Sequence, residues 1–182
     1  VRWQDGWPLI GEDRDGNGIG EPLLRSRKPG AGNSSPVAVP PTTDEFDSPQ
    51  LGLQWQWQAN HSDHWFSLTE RKGSLRLFGR KVPGADLAKT PNLLLQKFPA
   101  RAFSVETALS FTPAWDGEEA GLVIAGRQYA ALTVRRNAGV RELLLRVDGR
   151  DKSLGCVSSG SLRLRVDVSD GGICNFSHAQ GD

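Results

Sequence analysis

Apolar and polar side chains alternate along much of this chain, and the alternation is clearest in the stretch 44–77. There Leu51, Leu53, Trp55 and Trp57 fall on one side of an extended segment, with Gly52, Gln54, Gln56 and Gln58 on the other. A period of two belongs to a strand with one buried face. The bulky Trp pair predicts a central strand against which others pack. Asn60-His61-Ser62-Asp63 signals a turn, and Trp65-Phe66-Ser67-Leu68 opens the next strand. Further on, Leu75 and Leu77 form a strand, 81–91 is a polar loop, and 93–98 is again apolar. Phe103, Val105, Thr107, Leu109 and Phe111 alternate with smaller or polar residues. Residues 120–125 form a short apolar run after the turn Trp115-Asp116-Gly117. Segments 129–134 and 140–147 are the arms of a hairpin with Asn137-Ala138-Gly139 at its tip. Leu162, Leu164, Val166 and Val168 alternate with Ser161, Arg163, Arg165 and Asp167, and a last strand runs over 173–178. About ten short strands with regular turn signals and no helix predict an all-β, two-sheet antiparallel sandwich.

Composition supports this reading. Glycine (21) and proline (11) are scattered throughout, leaving few windows for a helix. Lys and Arg (22) almost balance Asp and Glu (21), so no excess positive charge draws the chain to a phosphate backbone, and nucleic acid is not an expected partner. No run of 18 apolar residues is present to span a membrane as a helix. The chain opens at Val1 without Met, consistent with an upstream region that has been removed. Cys156 and Cys174 flank one strand; they read as free, buried fillers, while pairing would suit a secreted or periplasmic protein.

Three parts follow from the pattern. Residues 1–29 hold a short strand (Trp3, Trp7, Leu9, Ile10) and a Gly- and Asp-rich turn, too little for a core of their own. Residues 30–43 are a Gly-, Ser- and Pro-rich linker, and 44–182 is the sandwich.

The block DEFD, then LGLQWQW, an Asn turn, WFSL and LRL resembles the start of the C-terminal β-sandwich of family 43 glycoside hydrolases, which are β-xylosidases and α-L-arabinofuranosidases. The likeness is looser through KFPARAFSVETALSF, EEAGLVIAGRQYAALTV and CNFSHAQGD. It implies a concanavalin-like jelly roll, with 1–29 as the last strand of the catalytic propeller and the three catalytic carboxylates upstream of this chain. It also implies that further strands follow Asp182, so the sandwich here stops short at its C-terminal end. The implied parent cleaves xylosyl or arabinofuranosyl bonds of plant polysaccharides, its propeller being the sandwich's partner, and a secreted or periplasmic location is expected. Two other classes stay open: a free-standing module binding xylan or arabinan, and a purely structural domain.

Candidate chemistry is sparse. Glycoside hydrolysis needs two carboxyls around the scissile bond, one kept protonated. Asp44, Glu45, Asp47, Glu118 and Glu119 instead sit at strand starts or turns, where solvated carboxylates are usual. Asp13, Asp15 and Asn17 have the alternating oxygen spacing of a calcium loop, with Gly18 for the turn, but loop position 12 falls on Leu24 rather than Glu. A polar Asp-Gly turn is the other reading. His61 and His64 lack a third zinc ligand, and His178 stands alone. The sequons at Asn33, Asn60 and Asn175 carry no assigned role. Trp55 and Trp57 read as core. Trp65 and Trp115, beside turns, are the candidates for exposed rings that stack on sugar, with Arg127, Gln128 and Tyr129 as groove residues.

Overall fold

The computed structural model describes residues 2–4, 7–25, 36, 38–82 and 86–181, and the chain divides into two units, Val1–Val39 and Pro40–Asp182. Half of the expected linker, 30–35 and Val37, lies outside the described residues, as do the Asn33 sequon and 83–85 of the polar loop. In the first unit, β1 (Arg2–Gln4) pairs antiparallel with β2 (Trp7–Leu9). A single bridge then joins Glu12 to Glu21, with both amide-to-carbonyl distances 3.0 Å.

The second unit is built from antiparallel strands: β3 (Gln56–Trp57), β4 (Phe66–Ser67), β5 (Arg76–Leu77), β6 (Leu94–Leu95), β7 (Phe103–Ser110), β8 (Glu119–Ile124), β9 (Ala130–Asn137), β10 (Val140–Val147), β11 (Arg150–Cys156), β12 (Ser161–Ser169) and β13 (Ile173–Gln180). They form a four-stranded sheet in the order β11-β10-β9-β8, a three-stranded sheet β13-β12-β7, and two short ribbons, β3-β6 and β4-β5. Helical structure among the described residues is limited to single 3-10 turns at Asp63–Trp65 and Leu87–Lys89. The core lies where the two larger sheets meet: Leu132, Val134 and Leu143 from one pack with Leu162 and Leu164 from the other and with Val157, flanked by Leu109, Phe111, Leu122 and Phe176. This is the expected antiparallel sandwich of concanavalin type.

β12 shows the pattern most simply. Leu162, Leu164, Val166 and Val168 are buried and the residues between them face outward, Asp167 being half-buried. The β9–β10 hairpin runs from Val140↔Asn137 to Val147↔Ala130, and Ala138 (φ +48°) and Gly139 (φ +81°) form its turn. Two left-handed residues in succession match the right-handed twist of the arms. Unlike β12, β9 and β10 are closed on both faces: Ala131, Thr133, Leu144 and Arg146, opposite the core, are as buried as the core itself. Apolar residues therefore run without alternation through Ala130-Ala131-Leu132 and Leu143-Leu144-Leu145. Gln58, Leu93, Leu95, Val123 and Tyr129 line a 190 Å³ cavity at one end of that second face.

Two expectations fail. Residues 51–57 are not one central strand: the amide of Trp55 bonds the carbonyl of Gly52 at 3.1 Å, Leu53 is fully exposed, and only Gln56–Trp57 pair, with Leu94–Leu95. The cause is local. Asp44 Oδ2 accepts the Trp55 indole N–H at 2.8 Å and the Gln54 amide at 3.3 Å, while Trp55 stacks on Phe46 with ring centroids 5.8 Å apart. These contacts turn the chain before the alternation can run on. Second, β11 was not expected at all. It is an edge strand with every residue exposed, so no apolar period marks it.

Candidate functional site

Of the aromatic candidates, Trp115 is the exposed one: 75% of its surface is open. Its loop joins β7 to β8 and is tightly held. Glu118 Oε2 accepts the amides of Ala114 (2.5 Å) and Trp115 (3.1 Å), and the Gly117 amide donates to the Arg136 carbonyl at 2.9 Å. Asp116 Oδ1 accepts from the Gly139 amide and from Arg136 Nε, both at 3.1 Å, and Arg136 Nη1 donates to the Pro113 carbonyl at 3.1 Å. These bonds fasten the loop to the β9–β10 turn. The Gly139 amide, then the Arg136 guanidinium, hold the Asp116 carboxyl below the usual carboxylate range.

Trp65 behaves otherwise. It ends the 3-10 turn Asp63–Trp65, begun by Ser62 accepting the His64 amide, and is half-buried. Its ring meets Trp57 edge-on at 5.6 Å, while Phe66 lies 5.6 Å from Trp57 on a tilt and His61 stacks on Trp57 at 5.8 Å and 10°. His61 remains partly exposed, 3.5 Å from Asp63; His64 and His178 are exposed. Trp65 thus belongs to a four-ring cluster rather than standing free. Tyr129 is buried, its amide donating to Asp148 Oδ1 at 3.0 Å and its carbonyl accepting from the Asp148 amide at 3.0 Å. With Asp86, Ala88, Arg127, Asp148 and Gly149 it lines a 410 Å³ cleft, while Gln128 is exposed outside it.

In the first unit, Asp13 Oδ1 accepts the amides of Gly16 (2.7 Å) and Asn17 (3.1 Å), and Oδ2 that of Gly18 (2.9 Å). Asp15 holds both the amide and the side chain of Asn17, and Asn17 Oδ1 accepts the Ile19 amide at 2.7 Å. The Gly18 amide above all lowers the Asp13 pKa. Any ion here competes with these donors, and no group of three or more His, Cys, Asp or Glu stands in metal-binding array among the described residues.

The carboxylates expected to be solvated are not all so. Arg146, missed in the sequence, is buried with its side chain 1% exposed. Its Nε bonds Asp151 Oδ1 at 2.6 Å, Nη2 bonds Glu119 Oε2 at 3.0 Å, and Nη1 lies 3.0 Å from Glu119 Oε1. Arg135 adds a 2.7 Å bond to Asp151. The four residues come from β8, β9, β10 and β11, brought to one sheet face by register: Arg146 pairs with Asp151 and Ala131, and Arg135 with Glu119. Gly121 lies on the same face, where an added Cβ would come within 2.2 Å of the Leu132 carbonyl oxygen, so β8 approaches β9 too closely for any side chain. Bonding to Arg146 lowers the Asp151 pKa, and bonding to Asp151 raises that of Arg146. Every carboxyl with a resolved shift is shifted down: Asp13, Asp116, Asp151 and Asp167. Cys156 is exposed and Cys174 half-buried, both free, so the free reading fits and the buried one fails at Cys156.

Comparison with known proteins agrees with this architecture. Residues 43–182 match the family described as the beta xylosidase C-terminal concanavalin A-like domain. A beta-xylosidase of Formosa agariphila is 50% identical over 94 residues, covering 51% of this chain and 15% of that protein. A non-reducing end alpha-L-arabinofuranosidase of Bacteroides ovatus is 32% identical over 156 residues, covering 84% of this chain and 28% of that protein. The crystal structure of a GH43 protein from Bacillus licheniformis superposes with a TM-score of 0.64 at 26% identity, over 75% of this chain and 27% of that one. The chain thus spans between 15% and 28% of the curated relatives' own length. On the match across 43–182, this chain belongs to the family of C-terminal concanavalin A-like domains of GH43 β-xylosidases.

Proposed function

We propose that the chain is an accessory domain of a secreted or periplasmic glycoside hydrolase that acts on xylosyl or arabinofuranosyl bonds of plant polysaccharides. In this reading the sandwich packs on the catalytic propeller, steadies it and helps to shape its substrate pocket, while bond cleavage belongs to the propeller. The observation that carries the reading is the state of the acids. A glycosidase holds one carboxyl protonated near neutral pH in an apolar setting. Here Glu119 and Asp151 are gripped by Arg146 and Arg135, a charged setting opposite to the apolar one an acid catalyst needs, and the Arg146 bond lowers the Asp151 pKa. For the 13–18 loop we favour the self-bonded turn over calcium; a calcium-dependent rise in Tm that is lost in Asp15→Ala reverses that choice.

The test is deletion of this domain from the parent enzyme. The expected result is a lower Tm together with a raised KM on an aryl β-xyloside or α-L-arabinofuranoside. A lowered Tm with unchanged KM reduces the role to scaffolding, and no change in either quantity removes the accessory role.

A further inference from the structure

We propose that Trp115 is the stacking platform of a pentosan-binding surface on this domain, with Asp116 and Arg136 supplying the polar contacts at its rim. The choice of pentosan rests on the glycoside-hydrolase reading; the platform itself rests on geometry. An indole 75% open to water is unfavourable for folding, and a slack loop would lay it against the surface. This loop is not slack. Glu118 holds the amides of Ala114 and Trp115, Asp116 holds the Gly139 amide, and Arg136 holds the Pro113 carbonyl, with Pro113 itself buried. The backbone on either side of the ring is therefore fixed before any ligand arrives, so binding orders little more than the ring's own rotamers.

The surroundings select the ligand class. A pentose ring offers an apolar C–H face edged by hydroxyls, which a flat aromatic ring can cover while a carboxylate accepts from, and a guanidinium donates to, the hydroxyls. Beside Trp115 the Asp116 side chain is 55% exposed and that of Arg136 32% exposed, so both reach solvent while fastening the loop. Asp116 stays an ionised acceptor through weakly acidic pH, because the Gly139 amide depresses its pKa. Half-exposed Val140 follows the same turn, but one indole and one Val rimmed by charge fall far short of the roughly 800 Å² per partner of a stable protein interface. The formal net charge of +1 gives no basis for a polyanion.

Affinity electrophoresis of the full chain through gels containing soluble β-1,4-xylan, or arabinan in a parallel arm, tests the proposal. The wild type is expected to be retarded by one polymer or both. Trp115→Ala should lose about tenfold in affinity or more, with Tm within about 2 °C of wild type because the ring buries so little. Trp115→Phe should keep part of the retardation, and Trp3→Ala, another exposed ring, all of it. Absence of wild-type retardation in both gels overturns the proposal, as does equal retardation of Trp115→Ala. Unchanged polymer binding with weakened attachment to the catalytic domain also overturns it, in favour of a docking role. Hydrolysis of a short aryl β-xyloside by the parent with and without this domain reads the accessory role alone, so either idea can fail without the other.

Discussion

Two arrays of arginine and carboxylate cross the strands of this sandwich with the same ingredients. On the open face of the three-stranded sheet, Arg163 bonds Glu106 at 2.9 Å and Arg165 bonds Asp167 at 2.7 Å, with Ser104 bridging to Asp167. On the second face of the four-stranded sheet, Arg146 and Arg135 hold Glu119 and Asp151. Only the surroundings differ: the Arg165 side chain is 45% exposed and that of Arg146 is 1% exposed. Water competes for every contact in the first array and screens its charges. In the second, water is largely kept from the contacts, and removal of one partner leaves charge that the rest can only partly match. Distance alone does not rank the two; burial does.

The largest expected effect is therefore Arg146→Ala. It leaves Glu119 and Asp151 with Arg135 as their remaining cation and should destabilise the fold by about 3 kcal/mol in urea unfolding. Replacing Arg146, Glu119 and Asp151 together by Met, Leu and Leu should recover part of that loss, because apolar side chains of similar size fill the space and the charge left over, on Arg135, reaches solvent. If the triple variant is no better than Arg146→Ala, the network contributes more than its own neutralisation.

Next in size is Asp151→Asn, expected to cost about 1–2 kcal/mol at pH 7, its partial exposure moderating the effect. The pH dependence has a definite sign. The Arg146 bond lowers the Asp151 pKa in the folded state, so stability from the ionised form is fully present above the unfolded value of about 3.9. It is lost as pH falls through the lower folded value. Wild-type Tm should thus drop more steeply below about pH 4 than that of Asp151→Asn. The smallest effect belongs to the open array: Arg165→Ala should move Tm by less than about 2 °C, and added salt should erase even that. A large loss at Arg165 would break the comparison outright.

The same contrast marks what the chain reveals before it folds. β12 was legible because one of its faces is wet, which imposes a period of two; β7 carries the same period although only Phe103 and Leu109 of it are half-buried. The β9–β10 hairpin was legible from Asn137-Ala138-Gly139, which carries two residues with positive φ. Residues 51–57 misled because four alternating apolar residues hide a turn that Asp44, eleven positions before Trp55, creates by capturing its indole. Trp115 and Trp65 both adjoin turns, yet one ring is exposed and the other lies on Trp57, a difference set by tertiary contact. The Arg146 network draws one residue from each of four strands, so register, rather than spacing, assembles it. Its one trace in the sequence is an arginine inside the run Leu143-Leu144-Leu145-Arg146-Val147, where a charge has no place unless it is met by a partner.

The most direct test of the functional account is the hydrolytic activity of this chain by itself on aryl β-xylosides and aryl α-L-arabinofuranosides. The expected rate is indistinguishable from buffer at every pH, because Glu119 and Asp151 are paired with arginines rather than one of them set in an apolar pocket. Turnover above buffer that disappears in Glu119→Gln or Asp151→Asn, with the fold intact, would contradict it.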